Sequence, residues 1–438
     1  MMKRMRMVCT ICAAVMTAGF LASGCKSSDT PAGPGGGGGG TGLTVVGKVL
    51  GQNNQPVAGV PVLIKGIPST NTDANGNFTF TNVSAPYDVT VIDGTGKTAF
   101  MYKGVTRTDP TLSFLGMSPG TPRNANITGK VFGGAFSPTQ PADHTTQVAF
   151  ISPEAMNNTT TAADGTFGPM GINWASATTT TGALYALQFQ RDGAGLPVAS
   201  GFKGYGVRNN VVLTDANPLI NQFDTLQAIG TGQMTGTVSV ASGYTVYTKV
   251  IFARVSANGT LRVFSDNTPT TNFSYYTPNI TGVALILGAG AQKTGNQSVI
   301  FKTGLSANAT GLAVSVPAAP EQSLPIAGAT GVDTTVAFSW TAYTGGVHLV
   351  YFQAGGTNPK FYILTSGTSA TIPNLQPFGL GLPPSTTYTW QIYGFAPYAS
   401  VDAAAAPGGF LAGLLNPALL GADSYLALSA SRNFVTKP

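Results

Sequence analysis

The sequence is poor in the side chains that carry most enzyme chemistry. Its 438 residues include two histidines, His144 and His348, and two glutamates, Glu154 and Glu321. Charged residues make up only 9% of the chain, and they are scattered rather than grouped into a basic run. Enzymes need acids, bases, nucleophiles or metal ligands at workable spacing, and nucleic-acid binding needs a clustered positive footprint. The composition therefore predicts a non-catalytic chain with no metal, no cofactor and no nucleic-acid partner.

The motifs of common enzymes are missing as well. No HExxH pattern, G-x-S-x-G elbow or phosphate-binding glycine loop occurs. Nearly all aspartates lie beside Gly, Asn or Thr, where turn chemistry accounts for them. The stretch Asp73-Ala74-Asn75-Gly76-Asn77 has oxygen ligands at alternate positions, as calcium loops do, but it lacks their distal glutamate. A tight hairpin with positive φ at Gly76 is the favoured interpretation, and a calcium loop is the alternative.

Cysteine occurs only at the start of the chain, at Cys9, Cys12 and Cys25. Residues 1–6 carry positive charge, residues 7–21 form an apolar run, and small residues follow at positions 22–24. This order predicts a secretory signal over residues 1–24, because the apolar run is too short to span a bilayer comfortably. Its removal would leave no thiol pair for a disulfide in the remaining chain.

The segment Leu21-Ala22-Ser23-Gly24-Cys25 resembles the lipobox of bacterial lipoproteins. The family prefers a large aliphatic residue three places before the cysteine, where this chain has Ala22, with Leu21 one place earlier. The resemblance implies that Cys25 is acylated and anchors the chain to a membrane. Because Lys26 follows, and not the aspartate of inner-membrane retention, the outer membrane is expected, with the chain facing the periplasm or the cell exterior. An ordinary signal peptide with an incidental cysteine is the alternative.

The rest of the chain has the pattern of an all-β protein. Residues 25–43 hold the lipidated cysteine and a tether with six consecutive glycines, which cannot bury a core. Beyond it, short runs rich in Val, Thr, Phe and Tyr are bounded by turn residues, and helical periodicity nearly vanishes. This pattern predicts tandem β-sandwich modules.

Residues 44–116 resemble the carboxypeptidase regulatory-like domain, a seven-stranded prealbumin-type sandwich. The resemblance rests on Val46-Gly47-Lys48-Val49, the 55–62 turn region, the 72–80 turn around Gly76 and the 86–91 strand. Two diverged repeats are expected at 125–230 and 231–317. The recurring patterns are Thr128-Gly129-Lys130-Val131 and Thr235-Gly236-Thr237-Val238, the turn cues Asp164-Gly165 and Asn258-Gly259, and echoes of Tyr102-Lys103-Gly104 at 202–204 and 301–304. Chance recurrence in a chain rich in Gly and Val is the alternative.

Residues 318–438 resemble the fibronectin type III domain. The resemblance rests on the strand 336–340, which ends at Trp340, and on the Leu-x-Pro-x-Thr-x-Tyr step that ends at Tyr388. It implies that Trp340 lies in the core and that Tyr388 forms a tyrosine corner, its hydroxyl bonded to upstream backbone. An apolar insertion at 401–422 departs from the family, and a short helix, a flap or a partner surface are its possible roles.

Two functions follow from this organisation. The first is a cell-surface adhesion, scaffold or spacer module without catalysis, whose partners are the membrane and a surface protein. The alternative is polysaccharide recognition through exposed aromatic rings, with Trp174, Tyr275 and Tyr276 as the candidates. Adjacent tyrosines on a strand face opposite sides, so one of the two is expected to face solvent. Burial of these rings in sandwich cores is the competing interpretation, and recruitment of a partner by strand addition at an exposed edge also remains open.

Overall fold

The computed structural model describes residues 42–52, 54–410 and 422–438. The predicted signal, Cys25 and most of the tether lie outside these residues, as does half of the 401–422 insertion. β-Strands dominate the described chain, and the predicted all-β class of tandem sandwiches is confirmed. The strands form two compact units. The described residues of one unit lie in 120–319 and 422–427, and those of the other lie in 42–119, 320–410 and 428–438.

The first sandwich has seven strands in two sheets. In one sheet the first strand lies between the fourth, which is antiparallel to it, and the seventh, which is parallel. The other sheet has the order third, second, fifth and sixth. The strands are β1 (Leu43–Gly51), β2 (Pro61–Ile64), β3 (Thr70–Asn71), β4 (Asn77–Val83), β5 (Tyr87–Asp93), β6 (Thr98–Val105) and β7 (Thr111–Phe114).

The second sandwich repeats this strand order. In one sheet its first strand lies between its fourth, which is antiparallel to it, and its seventh, which is parallel, and the other sheet has the order third, second, fifth and sixth. Its strands are β8 (Pro122–Gly133), β9 (His144–Ile151), β10 (Met156–Thr160), β11 (Thr166–Ala175), β12 (Thr179–Arg191), β13 (Pro197–Thr214) and β14 (Leu219–Leu226).

The third sandwich has the same order again. β15 lies between antiparallel β18 and parallel β21, beside a β17-β16-β19-β20 sheet. Its strands are β15 (Gly230–Val240), β16 (Thr245–Ser256), β17 (Gly259–Asp266), β18 (Asn272–Asn279), β19 (Ala284–Lys293), β20 (Asn296–Leu305) and β21 (Leu312–Val316). One supersecondary arrangement is therefore used three times in succession.

A glycine at one position of the first strand explains part of the recurring sequence pattern. Each of the three glycines pairs directly with a phenylalanine of the fourth strand: Gly47 with Phe78, Gly129 with Phe167, and Gly236 with Phe273. A Cβ on Gly129 would lie 1.9 Å from the Gln222 carbonyl oxygen and 2.6 Å from the Phe167 ring. The parallel strand and the ring together leave no room for a side chain, so only glycine fits.

The structure corrects the interpretation of the Asn-Gly cues. Gly76 has φ of +76°, as expected, but its turn joins β3 to β4, which belong to different sheets. The turn thus carries the chain from one sheet to the other and does not close a hairpin. Gly165 occupies the same place between β10 and β11, with φ of +89°. Asn258-Gly259 does not repeat this position, because it joins the paired strands β16 and β17.

The fourth sandwich has a different strand order. One sheet is β22-β24-β27, and the other runs β26-β25-β28-β30, with β23 parallel to β30. Its elements are β22 (Gln322–Leu324), β23 (Ala329–Val332), β24 (Phe338–Trp340), β25 (Val347–Gln353), β26 (Lys360–Thr365), β27 (Ser369–Ala370), a 3-10 turn (Gln376–Phe378), β28 (Thr387–Ala396), helix α1 (Val401–Ala404) and β30 (Arg432–Thr436). The strand before β30, β29 (Ser424–Leu428), belongs to the other unit except for its last residue.

Aromatic side chains fill the core of the fourth sandwich. Trp340 is buried there, and the Phe338 ring lies edge-on to the rings of Trp390 and Phe434, at 5.1 Å from each. Tyr388 is fully buried, and its hydroxyl donates to the Pro359 carbonyl at 3.1 Å. That carbonyl lies 29 residues upstream, directly before β26. Tyr388 therefore anchors the start of a neighbouring strand, whereas a tyrosine corner bonds backbone only a few residues away.

The first and fourth sandwiches are joined within one unit. Strand β6 pairs in parallel with β26, which makes one continuous sheet of their two edges. The Phe100 ring stacks on Tyr362 with centroids 5.5 Å apart, and Ile92 shares a buried cluster with Phe361. The pairing covers two strand edges whose backbone N–H and C=O groups would otherwise be free to recruit another chain.

The described part of the insertion strengthens the same junction. The Asp402 carboxylate on α1 accepts hydrogen bonds from the backbone N–H groups of Thr106, at 2.8 Å, and Arg107, at 3.2 Å, and from the Thr106 hydroxyl. The Arg107 guanidinium donates to the Asp402 carbonyl at 3.1 Å. The Thr111 N–H donates to the Ala405 carbonyl at 2.8 Å. Residues 401–410 thus bind the fourth sandwich to the first.

The second and third sandwiches share a core in the other unit. Tyr185 and Leu187 of β12 belong to the same buried cluster as Ile251 of β16 and Leu285 of β19. The Gln147 side chain on β9 donates from Nε2 to the Val263 carbonyl of β17 at 3.0 Å. These contacts place the edge strand β17 beside the β10-β9-β12-β13 sheet.

Candidate functional site

Two of the three predicted aromatic platforms are buried. Trp174 on β11 is 3% exposed, and its Nε1 donates to the Ala177 carbonyl at 2.8 Å. Tyr275 on β18 is 5% exposed, and its ring stacks on Phe273 with centroids 5.4 Å apart. Both residues occupy inward positions of the strand alternation, so a sugar cannot stack on either ring. The prediction of these two rings as ligand platforms was wrong.

Tyr276 lies on the opposite face of β18 and is half-buried. It pairs across the sheet with Gln233, and the flanking Asn272 and Asn279 are exposed. The expectation that one of the two adjacent tyrosines faces outward therefore agrees with the alternation on β18. A single half-buried ring offers less stacking area than the exposed aromatic pair expected of a polysaccharide binder.

The hydroxyl of Tyr275 belongs to a buried polar cluster in the third sandwich. It donates to Asp266 Oδ2 at 2.5 Å, and the same oxygen lies 3.3 Å from Lys249 Nζ. Lys249 has no exposed surface, and its ammonium donates to the Thr268 carbonyl at 2.9 Å and the Thr270 carbonyl at 3.0 Å. Lysine is rarely buried unless it is paired, and here each proton of the ammonium has an acceptor.

The contacts within this cluster shift the pKa values of Asp266 and Tyr275. Burial alone would raise the pKa of Asp266, but the Tyr275 hydroxyl, hydrogen bonds from Thr268 and the charge of Lys249 together lower it. Burial, followed by the bond to Asp266 and its charge, raises the pKa of Tyr275. The Lys249 side chain ties down the 267–271 loop between β17 and β18 through its bonds to the Thr268 and Thr270 carbonyls.

Both histidines have structural surroundings. His348 on β25 is 1% exposed, and its Nε2 accepts the Tyr343 N–H at 2.9 Å. Burial lowers the pKa of His348 to about 4, so the ring is neutral at physiological pH. His144 begins β9, and its Nδ1 lies 2.7 Å from Asp143 Oδ1. The hydrogen bond to His144 is the largest cause that lowers the pKa of Asp143.

The calcium interpretation of the 73–77 stretch is weakened by the bonds of its first residue. Asp73 Oδ1 accepts the N–H groups of Asn75 and Asn77, each at 2.8 Å, and Oδ2 accepts the Asn77 side-chain amide at 3.1 Å. Backbone and side-chain bonds from Asn77 are the main causes that lower the pKa of Asp73. This carboxylate is therefore already used by the turn. Across the described ranges, no group of three or more His, Cys, Asp or Glu side chains could hold a metal ion.

A cleft of about 600 Å³ opens between the second and third sandwiches, and it was not predicted from the sequence. Its second-sandwich wall includes Gln147 of β9 and Arg191, the last residue of β12. Its third-sandwich wall includes Tyr247 of β16 and Arg262 of β17, with Asn267 directly after β17. No local pattern marks these residues, because they come from separate strands that only the packing of the two sandwiches brings together.

Several polar groups of the cleft have spare bonding capacity. The guanidinium groups of Arg191 and Arg262 are exposed and have no hydrogen-bond or ion-pair partner in the described part of the chain. Gln147 Oε1 is buried and likewise unbonded among the described residues. The Thr248 hydroxyl donates to Asn267 Oδ1 at 2.9 Å, which leaves the amide N–H groups of Asn267 for another acceptor.

The predicted acylation site cannot be placed, because Cys25 lies outside the described residues. Within those residues, helices fall short of the length and hydrophobicity that a membrane crossing requires.

Comparison with known proteins does not assign the chain to a family. No family model and no curated protein matches it. Similar solved structures include the Bacillus anthracis TIE protein, with 10% identity, 64% of this chain and 51% of that chain covered, and a TM-score of 0.16. The Streptococcal ancillary pilin shows 8% identity, coverages of 61% and 89%, and a TM-score of 0.18. The chicken CNTN1 FN1-FN3 domains show 10% identity, coverages of 87% and 100%, and a TM-score of 0.16.

This chain matches only about half the length of the Bacillus anthracis TIE protein. At TM-scores this low, neither the arrangement of the modules nor their function is transferable from these proteins.

Proposed function

We propose that this chain is a non-catalytic surface lipoprotein that acts as a scaffold or adhesion module, anchored to the outer membrane by an acyl group on Cys25. The lipobox-like segment and the glycine tether support the anchor. The first three sandwiches are proposed to be modules of the carboxypeptidase regulatory-like type, and the fourth to be a fibronectin type III-like module. A surface protein or a polysaccharide is its proposed partner, and nucleic acid is not.

The pairing of sandwiches is the observation that carries the scaffold role. A flexible spacer needs modules that are separated by exposed linkers with few contacts. Here the first and fourth sandwiches share a continuous sheet through β6 and β26, and the second and third share a buried cluster. Within each unit, these contacts favour a rigid body over a row of independent modules.

The perturbed titratable groups support a non-catalytic role. Catalytic groups with shifted pKa values lie in clefts that a substrate can reach. His348 and Tyr275, whose pKa values are shifted, are instead buried, and each is bonded within its own sandwich. Their burial is explained by packing and by support of neighbouring loops.

Polysaccharide recognition through exposed aromatic rings is less well supported. Of its three candidates, Trp174 and Tyr275 are core residues, and only Tyr276 has accessible surface. A glycan function on this chain therefore needs another site.

Metabolic labelling with a clickable palmitate analogue tests the anchor. The full chain should incorporate the label and sediment with outer membranes, whereas Cys25→Ser should do neither. Cys12→Ser is the matched control, because it removes a cysteine of the predicted signal and should leave labelling intact. Persistent labelling of Cys25→Ser, or release of the unmodified chain into the medium, would contradict the proposed anchor.

Surface display and adhesion are tested on intact cells. Externally added protease should cleave the displayed chain, and cells that lack it should lose attachment to a host or matrix surface. Full protection from protease on intact cells, combined with unchanged attachment, would contradict the adhesion role and leave a periplasmic scaffold.

A further inference from the structure

The cleft between the second and third sandwiches combines cationic and hydrogen-bonding side chains in one concave surface. Arg191 of β12 and Arg262 of β17 lie on its opposite walls. Both walls belong to one compact unit, and the Gln147 to Val263 hydrogen bond of 3.0 Å joins them beside the cleft. The site is thus built by rigid strands, which position a ligand more accurately than mobile loops do.

The two arginines are the charged residues of the cleft lining. Asp192 follows Arg191 in sequence, but its Oδ1 accepts the N–H groups of Ala194 and Leu196, each at 2.9 Å. Asp266 lies at the end of β17, and its carboxylate is bonded to Tyr275 and paired with Lys249. Since neither carboxylate pairs with a guanidinium, the cleft suits an anionic ligand, and a planar carboxylate matches the fork of an arginine.

The remaining lining fits a ligand with many hydroxyl groups. Tyr247 contributes a half-exposed ring, and the Asn267 amide retains free donors. Thr145 and Ser265 add hydroxyls to the same surface. Sugar rings combine an apolar face, which suits an aromatic ring, with hydroxyl groups, which suit amides and hydroxyls.

We propose that this cleft binds an acidic polysaccharide, with Arg191 and Arg262 holding carboxylate groups of the sugar and Tyr247 contacting its ring. The site is separate from the three aromatic residues predicted from the sequence. The inference rests on the polysaccharide partner proposed above, which it narrows to an acidic class and places at this cleft, and it does not depend on the lipid anchor.

Other polyanions fit the surface less well. Nucleic-acid binding needs a basic stripe that neutralises several phosphates, and this cleft offers two arginines. An acidic polypeptide would satisfy the arginines but would make little use of the hydroxyl-rich lining. These two ligand classes serve as comparison arms in the test.

Calorimetric titration of the full chain, in detergent, with polygalacturonate tests the proposal, with alginate as a second acidic arm. We expect saturable binding to polygalacturonate and none to neutral dextran of similar length. Because each guanidinium contributes a charge-assisted hydrogen bond, Arg262→Gln and Arg191→Gln should each weaken binding about tenfold. The melting temperature of each variant should stay unchanged, because both side chains are exposed and unbonded.

Arg254→Gln is the matched control, since Arg254 lies on β16 like Tyr247 but does not line the cleft. Equal weakening by Arg254→Gln would mean that only net charge matters and would overturn the assignment to this cleft. Absence of binding to both acidic polysaccharides would overturn the proposal. Binding of poly-glutamate or single-stranded DNA as tight as that of polygalacturonate would overturn the saccharide specificity. None of these results bears on Cys25, so the anchor is tested separately.

Discussion

Replacement of Lys249 by methionine is expected to destabilise the third sandwich strongly. Methionine keeps the length and apolar stem of the side chain but removes the ammonium. The Thr268 and Thr270 carbonyls then lose a donor, and the Asp266 carboxylate loses its counter-charge. Asp266 keeps its hydrogen bonds from the Tyr275 hydroxyl, at 2.5 Å, and the Thr268 N–H, at 2.8 Å.

The magnitude follows from the remaining contacts. Removal of one partner from a buried ion pair costs about 3–5 kcal/mol. Asp266 retains two hydrogen bonds, so the cost of losing its counter-charge lies at the lower end of this range, about 3 kcal/mol. The Thr268 and Thr270 carbonyls, which lose their donor, add about 1 kcal/mol. Lys249→Met should therefore lower the free energy of unfolding of this sandwich by about 4 kcal/mol. Adding Asp266→Asn should recover about half of the loss, because the uncompensated charge disappears.

Hydrogen exchange of β17 and β18 peptides is the suitable assay, since a chain with several sandwiches has no single unfolding free energy. Lys302→Met is the matched control, because the Lys302–Asp423 pair, at 3.0 Å, is about one-third exposed on both sides. Lys302→Met should lower the free energy of unfolding by about 1 kcal/mol or less. The reasoning is refuted if Lys249→Met costs no more than the control, or if the double variant is as unstable as the sum of the single ones.

The effect of Lys249→Met should also depend on pH. Asp266 has a lowered pKa in the folded chain, so it stabilises the fold above its unfolded pKa and loses that contribution as pH falls through the folded value. Without Lys249, the pKa of Asp266 rises, and protonation removes the uncompensated charge at a higher pH. The difference in unfolding free energy between the two proteins should therefore narrow as pH falls toward the folded pKa of Asp266.

Three further predictions concern other parts of the fold. Gly129→Ala should cost about 3 kcal/mol or more, because its Cβ would lie 1.9 Å from the Gln222 carbonyl, whereas Gly193→Ala, in open space, should be neutral; hydrogen exchange of second-sandwich peptides measures both. The folded pKa of His348 is about 4, against about 6.5 when it is unfolded, so acidification between these values should cost its sandwich about 3 kcal/mol; an NMR titration midpoint near 6.5 would disprove this. Asp402→Ala removes three hydrogen bonds from Thr106 and Arg107 and should cost about 2–3 kcal/mol, detected as faster proteolysis of the chain around helix α1; an unchanged cleavage rate would count against the role of Asp402 at this junction.

The repeated sandwiches were accessible from sequence because their signals are local. The Gly-Lys-Val pattern recurs where a phenylalanine ring and a parallel strand crowd the first strand, and that crowding acts on one position. The Tyr102-Lys103-Gly104 echoes lie on β6, β13 and β20, the sixth strand of each sandwich. The Asn258-Gly259 cue misled because Asn-Gly suits many turns, and the dipeptide carries no information about which strands it joins.

The aromatic ligand sites were mispredicted for a related reason. Alternation along β18 requires Tyr275 and Tyr276 to face opposite sides, but it does not say which side is the core. The contacts of Tyr275 with Asp266 and Phe264, both on β17, decide that question. For Trp174 too, strand alternation does not say which face of β11 is buried. Its Nε1 donates to the carbonyl of Ala177 in the turn after β11, and this contact appears only in the structure.

The sequence by itself determined that this protein is a series of β-sandwiches with little catalytic chemistry, because strand alternation, turn residues and composition act over a few residues. Only the tertiary structure decided that β6 joins β26, since edge pairing uses backbone groups that every strand has. It also decided which rings are buried and that Arg191 and Arg262 share one cleft. Such contacts depend on how distant strands pack, and nothing in the neighbouring residues records that packing.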